Sequence, residues 1–195
     1  MRRKTLIVTG LMGSGKSAVC ALLRERGIPV YNADARTKAL YARRPSLVPL
    51  MEQALGQALR RPDGSLDRQA LAARIFADAP SRERVEALVY PLVLQDFRRW
   101  RSRCKGAAWV ALESAVILSK PLFDGLADAA VEVTAPLEVR LQRVMRRDGL
   151  SREEALARMA VQGIPAEKVT FRIPNDGSPE ALARSVKQVI SNIIQ

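Results

Sequence analysis

Leu6-Ile7-Val8-Thr9-Gly10-Leu11-Met12-Gly13-Ser14-Gly15-Lys16-Ser17-Ala18-Val19 is the stretch that decides how this chain folds. Its first four residues are apolar and largely β-branched, the composition of a buried parallel strand. Gly10 to Ser17 then spell a complete G-x-x-x-x-G-K-S phosphate-binding loop. Beyond it Ala18, Val19, Leu22 and Leu23 recur at helical spacing until Gly27 provides a stop. Strand, glycine loop and helix in this order build an anion site. Backbone N–H groups curl round a phosphate and the helix N-terminus adds its partial positive charge. Lys16 reaches the outer phosphates, and the Ser17 hydroxyl is placed to ligate Mg²⁺. Gly10, Met12, Gly13, Ser14, Gly15, Lys16, Ser17 and Ala18 are therefore the expected contacts of a nucleoside triphosphate.

Outward from that loop, 195 residues at 48% hydrophobic suit one α/β domain with room for a small inserted subdomain. The net charge of +12 favours anionic partners, phosphorylated small molecules included. No basic run exceeds three residues and aromatics are 5%, which argues against base-stacking platforms for nucleic acid. Cys20 and Cys104 cannot form a disulfide framework or a metal site, and Cys20 reads as a buried small hydrophobe. With no histidine in the chain, a general base has to be a carboxylate, lysine or tyrosine. The apolar run behind Met1-Arg2-Arg3-Lys4 is too short for a signal peptide, no segment has the length of a membrane span, and the expected compartment is the cytoplasm.

A second strand is expected at Ile28–Tyr31, ending in Asn32-Ala33-Asp34 at the sheet's carboxyl edge, where open parallel sheets bind ligands. Residues 36–104 read as entirely helical, with Asp67 and Ser81 as N-caps and Pro91 kinking or dividing the last helix. Strands follow at 107–112, running into Glu113, and at 129–133. Pro136 opens a helix with Leu137, Leu141, Val144 and Met145 on one face and Arg140, Arg143 and Arg147 on another. Ser151 and Glu154 form a capping box, residues 169–173 supply a last strand, and Leu182, Val186, Val189, Ile190 and Ile193 pattern a closing helix. Alternating strands and helices give a doubly wound parallel sheet of about five strands.

A phosphate loop alone does not separate kinases from GTPases or other ATPases. The chain is short and has no Asn-Lys-x-Asp guanine-reading motif. The arginines from Arg140 to Arg147, closed by Asp148-Gly149, suit a lid that neutralises charge on a transferred phosphoryl group, and Arg143 and Arg147 are the candidates. Read as structure alone, they make a solvated helix face. Asp34 is a candidate to accept a hydroxyl proton, although an Asp there is also a good helix N-cap. Glu113 is a candidate to orient a Mg²⁺-bound water, or a structural carboxylate.

In sequence the chain resembles the dephospho-CoA kinases. That family's Asp-Ala-Asp corresponds to Asn32-Ala33-Asp34, and its Arg-x-x-x-Arg-Asp-Gly-Leu to Arg143-Val144-Met145-Arg146-Arg147-Asp148-Gly149-Leu150. Its Arg-x-x-x-Gln matches Arg158 to Gln162, and its Asn-x-Gly-Ser matches Asn175-Asp176-Gly177-Ser178. The resemblance implies transfer of a phosphoryl group from ATP to the 3′-hydroxyl of dephospho-CoA, the last step of CoA synthesis. It implies Asp34 as base, Lys16 and the loop on the β- and γ-phosphates, and Ser17 on Mg²⁺. Arg143 and Arg147 fall in a lid, and Asn175 and Gly177 near the adenine. It also implies a single P-loop kinase domain over 1–195: core at 1–35 and 105–140, helical CoA-binding insertion at 36–104, lid at 141–165, and core strand with closing helix at 166–195.

The partners implied are ATP and dephospho-CoA, without nucleic acid or membrane, in a monomer or weak homo-oligomer. Three departures stand out. Tyr90-Pro91 replaces the family's His-Pro, Asn32 replaces its first Asp, and Ala115-Val116-Ile117-Leu118-Ser119 replaces Pro-Leu-Leu-Phe-Glu. Two other readings share the loop: a P-loop kinase of another small alcohol, such as a nucleoside or sugar acid, and a nucleic-acid-stimulated ATPase. A nucleotide-binding regulator without turnover is a third.

Overall fold

The computed structural model describes residues 3–160 and 163–194, so Gln162 of the Arg-x-x-x-Gln match lies outside the described residues. The chain divides into two compact units, Ala33–Trp100 and the remainder on either side of it.

The larger unit is a five-stranded parallel sheet. Its strands are β1 (Lys4–Thr9), β2 (Val30–Asn32), β3 (Trp109–Glu113), β4 (Ala129–Thr134) and β5 (Phe171–Pro174). They lie in the order β2-β3-β1-β4-β5. Sequence order reverses beside β1, which places the loop after β1 at the switch point of the sheet's carboxyl edge. Helices α1 (Lys16–Glu25) and α8 (Pro179–Ile194) pack on one face. There Leu6 and Val8 of β1, Val131 and Val133 of β4 and Ile173 of β5 meet Val19 and Leu23 of α1 and Val186 of α8. Residues on the opposite face, Ile7, Val110, Leu112 and Ala130, are also fully buried. Burial on both faces explains why these strands read as continuous apolar runs rather than as alternation. The second strand starts two residues later than expected and ends one later, so Asn32 is its last residue.

α6 (Leu137–Asp148) and α7 (Arg152–Met159) pack through Leu141, Val144, Ala155 and Met159, with Met12 of the glycine loop against the same cluster. Leu137, expected on that apolar face, is 48% exposed because it starts the helix before α7 can cover it. The capping box is present: Ser151 accepts from the Glu154 amide and Glu154 accepts from the Ser151 amide.

The smaller unit contains α2 (Ala33–Arg43), α3 (Leu47–Leu55), α4 (Arg68–Ala77) and most of α5 (Ala79–Arg103). It is not entirely helical. Gly56, in the left-handed region at φ 62°, ends α3, and residues 56–67 form a turn closed by an isolated antiparallel bridge between Arg60 and Leu66. Asp67 caps α4 as expected, accepting from the amides of Gln69 and Ala70. Ser81 is not a cap: α5 begins two residues earlier, and the Asp78 carboxylate accepts from the Ser81 amide instead. Pro91 does not divide the helix, which runs through it for 25 residues. The turn on either side of that missing donor is held by packing, with Val85, Val89, Val93 and Phe97 all buried.

Candidate nucleotide and phosphoryl-transfer site

Three of the loop's residues have to be glycine. A side chain at Gly10 would strike the Val133 carbonyl, one at Gly13 the backbone of Arg140, and one at Gly15 the Asn175 amide. Gly13 and Gly15 also hold φ of 79° and 96°, which penalises any other residue. The crowding has a purpose: it brings β4, α6 and the residue after β5 onto the loop. Asn175 donates its side-chain amide to the Ser14 carbonyl at 2.8 Å and its own amide donates to Thr134, so this buried residue braces the loop from below.

Lys16 folds back over the loop, its ammonium donating to the carbonyls of Gly10 at 2.8 Å and Leu11 at 3.5 Å. Two loop amides are already committed. Ser14 N–H donates to Leu11 at 3.1 Å and Ala18 N–H to Gly15 at 3.0 Å. The Ser17 N–H, in the first turn of α1, has no i−4 acceptor inside the helix, the usual position for binding an anion. The hydroxyls of Thr9, the residue before the loop, and Ser14, within it, are buried without a hydrogen-bond partner.

Beneath the loop the sheet register makes a row. Asn32 of β2 stands opposite Glu113 of β3, and Glu113 opposite Val8 of β1. Neighbouring strands lie about 4.8 Å apart, within reach of the side chains. The Ser17 hydroxyl donates to one Glu113 oxygen at 2.8 Å and the Asn32 amide to the other at 2.7 Å. The Cys20 thiol also donates to Glu113. Its pKa is pushed up first by burial and then by that carboxylate, so Cys20 is an inert hydrophobe, as expected. A carboxylate only 6% exposed and received by neutral donors, next to the loop serine, is a hard oxygen set suited to Mg²⁺ or its water. Glu113 was only one candidate among several in the sequence. The register that brings it beside Ser17, 96 positions away, had no local signal.

The arginines differ. Arg140 donates to Ala135 at 3.1 Å and toward Met12 at 3.5 Å, and Arg143 points at the carbonyls of Gly13 and Ser14 at 3.4 and 3.5 Å. Arg147 is turned away, paired in two hydrogen bonds with Asp148, which lowers the Asp148 pKa. Gly177 lies in the turn before α8, where neither φ nor crowding demands glycine. In the smaller unit Asp34 is exposed in the first turn of α2, two residues after Asn32. Tyr90 donates to Glu86 at 3.0 Å, and its pKa is raised by burial first and by the charges of Glu86 and Asp34 after it.

Residues 5–178 match the family model described as dephospho-CoA kinase. The chain belongs to the dephospho-CoA kinase family. It is similar to the dephospho-CoA kinase of Anaeromyxobacter dehalogenans, 38% identical over 95% of this chain and 90% of that one. The dephospho-CoA kinase of Thermus thermophilus is 39% identical over the same shares. A solved Thermus thermophilus structure superposes with a TM-score of 0.81 at 37% identity, covering 98% of both chains. Shikimate kinase from Acinetobacter baumannii, at 18% identity, 99% and 96% coverage and a TM-score of 0.52, shares the fold. Among dephospho-CoA kinases, then, this chain carries a complete phosphate loop, a P-loop kinase sheet and a buried Glu113 under Ser17. Among its described residues no helix is long and apolar enough to cross a membrane.

Proposed function

We propose that the chain transfers the γ-phosphoryl group of ATP to the ribose 3′-hydroxyl of dephospho-CoA, giving CoA and ADP. Its family membership over residues 5–178 supports the acceptor. The single observation that carries the donor side is the Ser17–Glu113–Asn32 chain of hydrogen bonds under a complete phosphate loop.

The N–H groups at the start of α1 receive the β-phosphate, and Lys16 exchanges its carbonyl partners for the β- and γ-phosphate oxygens. Ser17 and Glu113 would hold Mg²⁺ directly or through its water, and the ion would supply positive charge that offsets the triphosphate's own. Asp34 orients the acceptor hydroxyl and takes its proton as the new P–O bond forms and the bond to the ADP oxygen breaks. Arg143 lies against the loop for the transferred group. Arg147 joins it by leaving Asp148 as the 141–165 segment closes. Asn175 and Gly177 flank the base: Asn175 while it braces Ser14, and Gly177 because the protein's own packing does not call for glycine there. The 36–104 helices receive the rest of the acceptor. We place the enzyme in the cytoplasm, acting without nucleic acid and as a monomer or weak homo-oligomer.

Purified protein with Mg²⁺-ATP and dephospho-CoA should yield CoA and ADP in equal amounts by mass-resolved chromatography. ATP binding with no CoA formed would turn the reading toward another small alcohol.

A further inference from the structure

A cavity of about 430 Å³ opens at the amino edge of the sheet. Lys4 and Trp109, the first residues of β1 and β3, wall it together with the turn before β3 and Ile194 at the end of α8. That volume is in the range of small-ligand pockets. β1 rises about 3.3 Å per residue, so about 17 Å separate Lys4 from Thr9, where the phosphate loop begins. The cavity and the loop therefore occupy opposite ends of one strand.

Two cations stand at the cavity without a counter-charge. Arg3 is half-buried, and its Nε donates to the Cys104 carbonyl at 2.7 Å. That bond fixes the guanidinium and leaves its terminal nitrogens without a hydrogen-bond partner among the described residues. The Lys4 ammonium lies 5.1 Å from the centre of the ring of Trp109, its register partner, within cation–π range. Neither cation forms an ion pair with a carboxylate among the described residues. The wall beside them is apolar, made by Ala107, Ala108 and Ile194. Ile194 is 51% exposed, although Val186 and Ile190, two turns and one turn before it, are buried. The apolar stripe of α8 thus runs on into the cavity.

We propose that this cavity binds a small organic anion, its carboxylate or phosphate held by Arg3 and Lys4 and its compact apolar body lying against Ala108 and Ile194. A guanidinium fork beside an ammonium point charge suits the oxygens of either head group. The anion relieves the repulsion between two neighbouring cations, and its body covers apolar surface that water now meets. Both effects act on the first rung of the β1–β3 ladder, whose last rung sets Glu113 beside Val8. Occupancy stabilises the folded sheet without contact with the phosphate loop. The site shares no residue with the phosphoryl-transfer reading and stands apart from it.

The test is calorimetric titration of the full chain with phenyl phosphate and with benzoate, Mg²⁺-ADP being kept at saturation to fill the phosphate loop. Both anions should reach half-saturation below about 1 mM, and the tighter of the two names the head group. Benzylammonium, a similar body of opposite charge, should not bind. Inorganic phosphate, which has no apolar body, should bind at least tenfold more weakly than phenyl phosphate. The double variant Arg3→Ala/Lys4→Ala should weaken phenyl phosphate at least tenfold. Ala108→Glu, which brings a carboxylate to an exposed position on the rim, should do the same. An unchanged affinity for Mg²⁺-ADP would show that each variant keeps its fold. Absence of both anions from the wild type, or undiminished binding to both variants, overturns the site. Inorganic phosphate binding as tightly as phenyl phosphate overturns the role of the apolar wall.

Discussion

Glu113 shows how much one buried carboxylate can organise. It receives Ser17, Asn32 and Cys20, all neutral, and so keeps its charge for a ligand on the loop side. Glu113→Gln preserves size and removes that charge. The Mg²⁺ concentration for half-maximal activity should rise at least tenfold, while binding of metal-free ATP by calorimetry changes little; an unaltered Mg²⁺ dependence would remove Glu113 from the metal site. Asn32→Asp places a second carboxylate against the first, so thermal stability measured without Mg²⁺ should drop, and added Mg²⁺ should restore more of it than in the wild type. Asp34→Asn should keep ATP affinity and lower kcat by about a hundredfold or more, since a general base of this kind contributes on that order. Equal turnover in that variant would transfer the proton to another group.

Elements here are set by their ends as much as by their apolar faces. The Ser151–Glu154 capping box was legible from spacing alone, because a cap is a four-residue contact. Ser151→Ala should cost about 1 kcal/mol and lower the melting temperature by roughly 2–4 °C by calorimetry. No change would mean that packing of Met159 and Ala155 on α6 holds α7 without its cap. Spacing points to Ser81 as the start of α5, but Asp78 caps equally well, and only the path of the chain chooses between them. The turn at 56–67 has no clear local signal either. Its Gly56 and Gly64 are turn residues, yet Leu59 between them is buried like a helical core position. Arg147 belongs at this scale too: its sequence spacing matches Arg143, but its pairing with Asp148 makes its use depend on movement of the α6–α7 pair.

For the whole molecule, the distribution of titrating groups predicts a flat stability profile at neutral pH. The chain has no histidine. Glu52, Asp67, Glu138 and Asp148 all have lowered pKa values, mainly from hydrogen bonds to arginine or backbone amides. Their stabilisation is full above the unfolded carboxylate values of 3.8 and 4.5 and is lost as pH falls through the lower folded ones. Cys20, Tyr41 and Tyr90 are raised by burial, so the folded state loses ground as pH rises past the unfolded values of 9.0 and 10.0. The melting temperature should therefore be level from about pH 5 to 9 and decline on both sides. A clear transition between pH 6 and 7 would contradict this accounting.

The sequence by itself determined the phosphate loop, the parallel α/β class, the cap of α4 and the capping box of α7, because each is written in neighbouring residues and follows from backbone geometry. Its ordered motifs also carried the resemblance to dephospho-CoA kinases. What only the tertiary structure decided depends on contacts between distant segments. Strand register brings Asn32, Glu113 and Ser17 into one hydrogen-bonded row, and β5 delivers Asn175 under Ser14. The starts of β1 and β3 and the end of α8 enclose a cavity that no run of residues announces. Local periodicity fixes which way a side chain faces; the side chain it will meet depends on how the sheet orders its strands.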